Sequence, residues 1–232
     1  MNEALRRKIA GWILLLLAAG CTLPPADKTP ELAIDPRLPS PKVALRELDE
    51  LRLVPRPKPD GSYRRAEFGP RWYDTDGNGC DTRDDILYRD VDKSVPFDAA
   101  RQGSCDHDML AGSWFDPYTG ETISATDLKN QGQAQSIQIE HVVALAVAWR
   151  YGASEWDKAA RTEFANDQLN LLAVSGEVNR AKSDLDAAGW CPKQPFQCAY
   201  ALRYVAVKAK WKLAVDSSER SALAQMIDTC EV

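Results

Sequence analysis

Apolar and polar positions alternate most regularly in the middle of the chain. Over Ser136-Ile-Gln-Ile139 every second residue is apolar, and the run ends at Glu140-His141, which predicts a half-buried strand closing on a polar pair. Leu169-Asn-Leu-Leu-Ala-Val174 predicts a second short strand. Between the two, Val142–Tyr151 and Ser154–Phe164 read as helical, and Gly176–Ala188 predicts a helix directly after the second strand. Residues 198–215 and 217–229 predict two closing helices. Upstream, Ser40-Pro41 has the form of an N-cap followed by Pro at the first helical position, and Leu45, Leu48 and Leu51 recur at helical spacing. A helix over about residues 41–53 follows, ended by Pro55, Pro57 and Pro59. Strand, helical insertion, strand, helix is the order of an α+β domain.

The N-terminus has a different pattern. Arg6-Arg7-Lys8 precedes an apolar stretch from Ile9 to Ala19, too short for a comfortable transmembrane helix, which needs about 20 residues. Ala18-Ala19-Gly20-Cys21 then resembles a bacterial lipobox, in which the cysteine is acylated and becomes the mature N-terminus. Nine of the fourteen prolines lie between Pro24 and Pro59, so the stretch after Cys21 has little to bury. The expected organisation is a signal peptide over 1–20, a lipid-anchored tether over 21–39 and a folded domain over 40–232. The expected location is the cell envelope, at the periplasm or outer membrane, with the membrane reached through Cys21; plain secretion is the alternative.

Composition changes this picture little: 44% hydrophobic and 27% charged residues describe an ordinary globular chain. Charge changes it more. A net charge of −5 gives a polyanion no general attraction, so a nucleic-acid partner would need a local basic surface. Residues 71–127 hold thirteen acids against five bases, whereas residues 191–232 hold six bases against four acids. Arg203, Lys208, Lys210 and Lys212 near the C-terminus, with Arg180 and Lys182, are the candidate phosphate track.

Apart from Cys21 the cysteines are Cys80, Cys105, Cys191, Cys198 and Cys230, with no C-x-x-C pair and no histidine beside Cys191 or Cys198. In an exported chain this reads as structural disulfides rather than a zinc cluster. The expected pairs are Cys80 with Cys105 and Cys198 with Cys230, leaving Cys191 as an odd thiol. Asp74-Thr-Asp76-Gly-Asn78-Gly79 is like the start of a calcium loop, with Asp85 at the twelfth position in place of the usual Glu. The plainer reading is a glycine-rich turn pinned by Cys80.

Only His107 and His141 are available as histidine bases, and His107 sits in the polar Cys105-Asp-His-Asp108 loop, which argues against catalysis. His141 follows Glu140 at a strand end, where the turning chain could let both side chains reach one site. Downstream lie Asn170, Asn179, Lys182 and Asp184.

These blocks resemble the HNH endonucleases, in the branch related to the C-terminal domain of the GmrSD restriction enzymes. The carriers are Ile139-Glu140-His141-Val-Val-Ala-Leu145, Phe164-Ala-Asn-Asp-Gln-Leu-Asn170-Leu-Leu-Ala-Val174 and Asn179-Arg-Ala-Lys182-Ser-Asp184. Trp72-Tyr-Asp74-Thr-Asp76-Gly-Asn-Gly-Cys80 and Asp116-Pro-Tyr-Thr-Gly120 resemble exported members. The likeness runs from about Tyr63 to Cys230. It implies an HNH (ββα-metal) core with a helical insertion and C-terminal helices, and an endonuclease acting on nucleic acid, DNA above all, with weak sequence preference. The implied roles are His141 as general base, Asn170 orienting its ring, Glu140 and Asn179 as ligands of Mg²⁺ or Mn²⁺, and Lys182 on a neighbouring phosphate. No organic cofactor is expected, and Ca²⁺ would be a structural ion. The competing reading is a catalytically inert, calcium-stabilised envelope lipoprotein that binds a partner or a cell-wall polymer.

Overall fold

A computed structural model describes residues 35–230. The expected signal peptide, Cys21 and most of the expected tether lie outside these residues. The tether's last stretch does not: Asp35 pairs with Arg203 at 2.7 Å, and Leu38 packs on the main core.

The fold is α+β. Helix α1 (Pro41–Glu50) starts as expected, with the Ser40 side chain accepting from the Val43 amide and Pro41 in the first turn. It buries Ala44 and Leu48. It stops before Leu53 because the chain there turns extended: Leu53 forms a parallel bridge to Val215, and the Val54 amide donates to the Val215 carbonyl.

The acidic stretch, for which the sequence pattern predicted no helix or strand, carries both. Helix α2 (Thr82–Asp90) is capped by Asp81. Strands β1 (Asp98–Gln102), β2 (Cys105–Phe115) and β3 (Thr122–Ala125) form an antiparallel sheet in the order β1-β2-β3. Both expected disulfides are present, Cys80–Cys105 and Cys198–Cys230. Cys191 is disulfide-bonded as well, so the expectation of an odd thiol is corrected.

After a short helix α3 (Gln131–Ser136), β4 (Ile137–His141) pairs antiparallel with β5 (Leu171–Ser175), with His141 opposite Leu171 and Ile139 opposite Ala173. The insertion between them carries α4 (Leu145–Arg150) and α5 (Lys158–Ala165), and α6 (Gly176–Lys182) follows β5. Helix α6 ends six residues earlier than the pattern suggested, because Ser183 takes a left-handed backbone, φ 52°. Helices α7 (Gln197–Lys210) and α8 (Ser217–Ile227) close the fold. Lys212, φ 52°, breaks the expected long helix, so that Leu213–Val215 can return to pair with Tyr151 and with the segment after α1.

Two cores result. Ile137, Ile139, Leu171 and Ala173 pack with α2, Met109 and Trp114 of the sheet. Val142, Val143 and Val174 pack with α1, α7 and α8. The β4–β5 hairpin lies between them, with apolar area covered on both faces.

Candidate active site

Alternation along β4 places Gln138 and Glu140 on the face toward α6 and His141 on the face toward α2. The expectation that a turn at the strand end brings both side chains together is not met by their contacts. Glu140 and His141 leave opposite faces and find different partners.

On the α6 face, Glu140 is buried and pairs with the equally buried Lys182, Nζ to Oε1 2.5 Å. Lys182 Nζ also donates to the His141 carbonyl at 3.1 Å. The second carboxylate oxygen, Oε2, is buried with no hydrogen-bond partner. Burial raises the Glu140 carboxyl above its ordinary value despite the opposing pull of Lys182. Lys182, expected to reach a phosphate, is therefore spent on the carboxylate beside it.

Asn179, partly buried on α6, donates from Nδ2 to Gln138 Oε1 at 2.8 Å, which leaves its own Oδ1 without a protein partner among the described residues. An orphaned buried carboxylate oxygen and an unpaired amide oxygen on the same face of the hairpin are hard donors that fit Mg²⁺ or Mn²⁺.

On the other face the His141 ring is half-buried. Its Nε2 lies 2.8 Å from the Ala165 carbonyl at the end of α5. A carbonyl only accepts, so Nε2 carries the proton and Nδ1 keeps its lone pair. Burial, helped by the nearby Arg65 and Lys182 charges and opposed by the Ala165 bond, holds the ring's pKa down to about 4. At neutral pH His141 is an uncharged base.

Asn170 does not take the role expected of it. Its Oδ1 accepts from the Val143 amide at 2.8 Å and its Nδ2 donates to the Val143 carbonyl at 3.2 Å. This clasp, with the Val142 amide donating to the Asn170 carbonyl, fixes the chain leaving β4. The Ala165 carbonyl orients the ring instead. Sequence reasoning missed it because a main-chain oxygen has no residue signature.

It also missed Trp72, whose ring lies parallel to that of His141, centroids 6.4 Å apart and planes within 10°. Trp72 stood in the sequence as part of a recognisable block, and only its position over the histidine was hidden. Arg65 is the second residue missed, close enough for its charge to act on the ring.

The Asp74, Asp76, Asn78 and Asp85 side chains do come together. Asp74 accepts from the Gly77 and Gly79 amides, while Asn78 turns its amide NH₂ toward Asp76 and Asp85 and uses its Oδ1 on the Cys80 amide. His107 Nε2 adds a further contact to Asp85 at 2.9 Å. The donors of Asn78 and His107 thus occupy the carboxylates, the arrangement of a turn pinned by Cys80. Cys80, Cys105 and His107 also converge, but the two sulfurs are bonded to each other and supply no thiolate ligand.

The expected phosphate track is corrected. Lys208 is fully buried against Glu219 at 2.5 Å, Arg203 is buried on Asp35 and the Leu169 carbonyl, and Lys210 pairs with Asp167 at 2.8 Å. Of the six cations, Arg180, Lys210 and Lys212 are exposed, and among the described residues Lys210 is the one of these three that pairs with a carboxylate.

Comparison with known proteins supplies the family. The chain is 39% identical over 198 residues, 84% of its length and 88% of the other's, to an uncharacterized secreted protein of Arthroderma benhamiae (strain ATCC MYA-4681 / CBS 112371). No solved structure matches the chain. Residues 81–226 match the family of GmrSD restriction endonucleases, C-terminal domain, a span that takes in the disulfide-bonded sheet, both faces of the β4–β5 hairpin and the closing helices. The chain belongs to that family.

Proposed function

We propose that this protein is a metal-dependent endonuclease of the HNH type that hydrolyses phosphodiester bonds of nucleic acid. The carrying observation is His141: a histidine at the end of β4, held neutral, with one ring nitrogen fixed by the Ala165 carbonyl and the other free to accept a proton. His141 Nδ1 takes the proton of the attacking water, and the Ala165 carbonyl keeps the ring in the tautomer that can do so. Glu140 and Asn179 would hold the cation through their side-chain oxygens. When bound, Mg²⁺ or Mn²⁺ supplies positive charge against the phosphate and the leaving oxygen. Lys182 balances Glu140 and braces the His141 carbonyl, coupling the two faces of the hairpin.

Plasmid nicking by the purified protein with Mg²⁺, and its loss in EDTA, tests this directly. Cleavage unaffected by EDTA would remove the metal. No cleavage of DNA or RNA under any divalent ion would leave the inert envelope lipoprotein as the better reading.

The basic start, apolar run and small residues before Cys21 support export, and the relative's description as secreted agrees. Among the described residues no helix is long and apolar enough to cross a membrane. A lipid on Cys21 would tether the enzyme to the bacterial envelope. Mass spectrometry of the mature N-terminus decides this. A Cys21–Cys191 bridge in the peptide map would replace the lipid, since one sulfur cannot carry both.

A further inference from the structure

With four of the six expected track cations paired with carboxylates, an acidic protein still needs cations near His141 to hold a polyanion. The segment from Tyr63 to Tyr73 contains Arg64, Arg65 and Arg71 and a single acid, Glu67. Glu67 is taken by Arg161 at 3.4 Å. Among the described residues none of the three arginines has a carboxylate partner. Arg64 donates to the Gly61 and Tyr63 carbonyls, Arg65 donates to the Gly69 carbonyl at 3.2 Å, and exposed Arg71 has no hydrogen bond or ion pair among the described residues. Carbonyl partners leave a guanidinium's charge uncancelled, so it can still meet phosphate.

This strap is built onto the helix that holds the base. Phe68 is fully buried, and Arg161 of α5 donates to the Glu67 carbonyl at 2.9 Å. Gly69, φ 74°, comes so close to α5 that a Cβ there would fall 2.4 Å from Thr162 Oγ1. The last residue of α5, Ala165, fixes His141. Strap and base therefore share one frame. Beyond Gly69 the strap turns through Trp72, a bulky residue at φ 56°, which is uncommon and persists where surroundings over-determine it. That turn lays Trp72 parallel to the His141 ring and leaves Tyr73 standing out, 53% exposed.

We propose that the strap Arg64–Tyr73 is the nucleic-acid-binding wall of this site, its arginines holding phosphates beside His141 and Tyr73 stacking an unpaired base. The substrate class is then single-stranded or locally unwound nucleic acid, an assignment that rests on the nuclease reading. An exposed aromatic ring binds any base by its π-face, but a base within a duplex keeps both faces covered by its neighbours. The wall reads phosphate and stacking rather than sequence.

The test is fluorescence anisotropy of the full chain in EDTA, with a labelled oligothymidylate and a duplex of matched length, alongside nicking in Mg²⁺. The single strand should bind more tightly. Arg71→Ala and Tyr73→Ala should each weaken it by roughly tenfold, and Arg71→Ala should lower the salt slope by about 0.7. Lys42→Ala, on the exposed face of α1, should change neither. Wild-type binding in both variants overturns the wall, even if nicking stands, as does a wild type that binds neither probe. Tighter binding to the duplex overturns the substrate class. Binding lost in the variants of a protein that cleaves nothing keeps the wall and removes the nuclease.

Discussion

His141→Ala is expected to lower nicking by about 10²–10⁴-fold, the range a positioned general base contributes, while circular dichroism and the urea midpoint stay near those of the parent. The ring is half-buried at the end of β4, and its one hydrogen bond goes to a carbonyl at the end of α5. Its removal leaves no buried charge behind. His107→Ala serves as the comparison, because that ring is engaged with Asp85 and Asp106 and stacked on Tyr88 at 4.7 Å, on the side of the fold built by α2 and β2. The pH profile gives an independent reading. A free histidine loses its basic form below about pH 6.5, but burial holds His141 down to about 4. Because only the unprotonated ring accepts a proton, the rate should stay high as pH falls through 6 and decline only toward 4. A well-folded variant with full activity, or a decline centred near 6.5, would remove His141 from the role.

Lys182→Met should have the largest effect on stability. The methionine replaces the stem but not the charge, and leaves the Glu140 carboxylate buried without its counter-ion. Breaking such a pair by removing one partner costs about 3–5 kcal/mol, to be read from urea unfolding in EDTA. Burial already raises the Glu140 carboxyl, so the variant can also relieve the cost by taking up a proton, and the loss should be smaller at pH 5 than at pH 8. Lys208→Met supplies the contrast. Lys208 is as buried, with Glu219 at 2.5 Å and the Ala214 carbonyl at 2.8 Å, but lies among α7 and α8, away from the hairpin. If Glu140 and Asn179 hold a divalent ion, millimolar Mg²⁺ should recover part of the loss in Lys182→Met and none in Lys208→Met. Equal behaviour of the two variants toward Mg²⁺ would mean that the Glu140–Lys182 pair is structural only.

The parts of the fold that were legible share a cause. The Ser40 cap, the alternation ending at Glu140-His141 and the apolar run of β5 are each carried by neighbours in the chain, within the reach of a helix turn or a strand repeat. The three-stranded sheet was missed because β1, Asp98-Ala-Ala-Arg-Gln102, is mostly polar and half-exposed, with no apolar face of its own; it is a strand because β2 pairs with it. Helix α2 was missed for a related reason, since its acids give no apolar periodicity; Asp81 caps it, and Ile86 and Leu87 reach the second core.

The candidate site divides along the same line. The sequence alone determined the family blocks, two of the three bonded cysteine sites as pairs, and the residue types available for chemistry: one histidine at a strand end, one acid beside it and two asparagines downstream. Only the tertiary structure decided what those groups do. It sent Glu140 and His141 to opposite faces, gave the ring to the Ala165 carbonyl rather than to Asn170, and set Trp72 over it. It also turned Lys182 and Lys208 from surface cations into buried counter-ions. A lysine's charge is written in the sequence, but its availability depends on which carboxylate the packed chain brings against it, and that contact is made across loops whose closure no local pattern encodes.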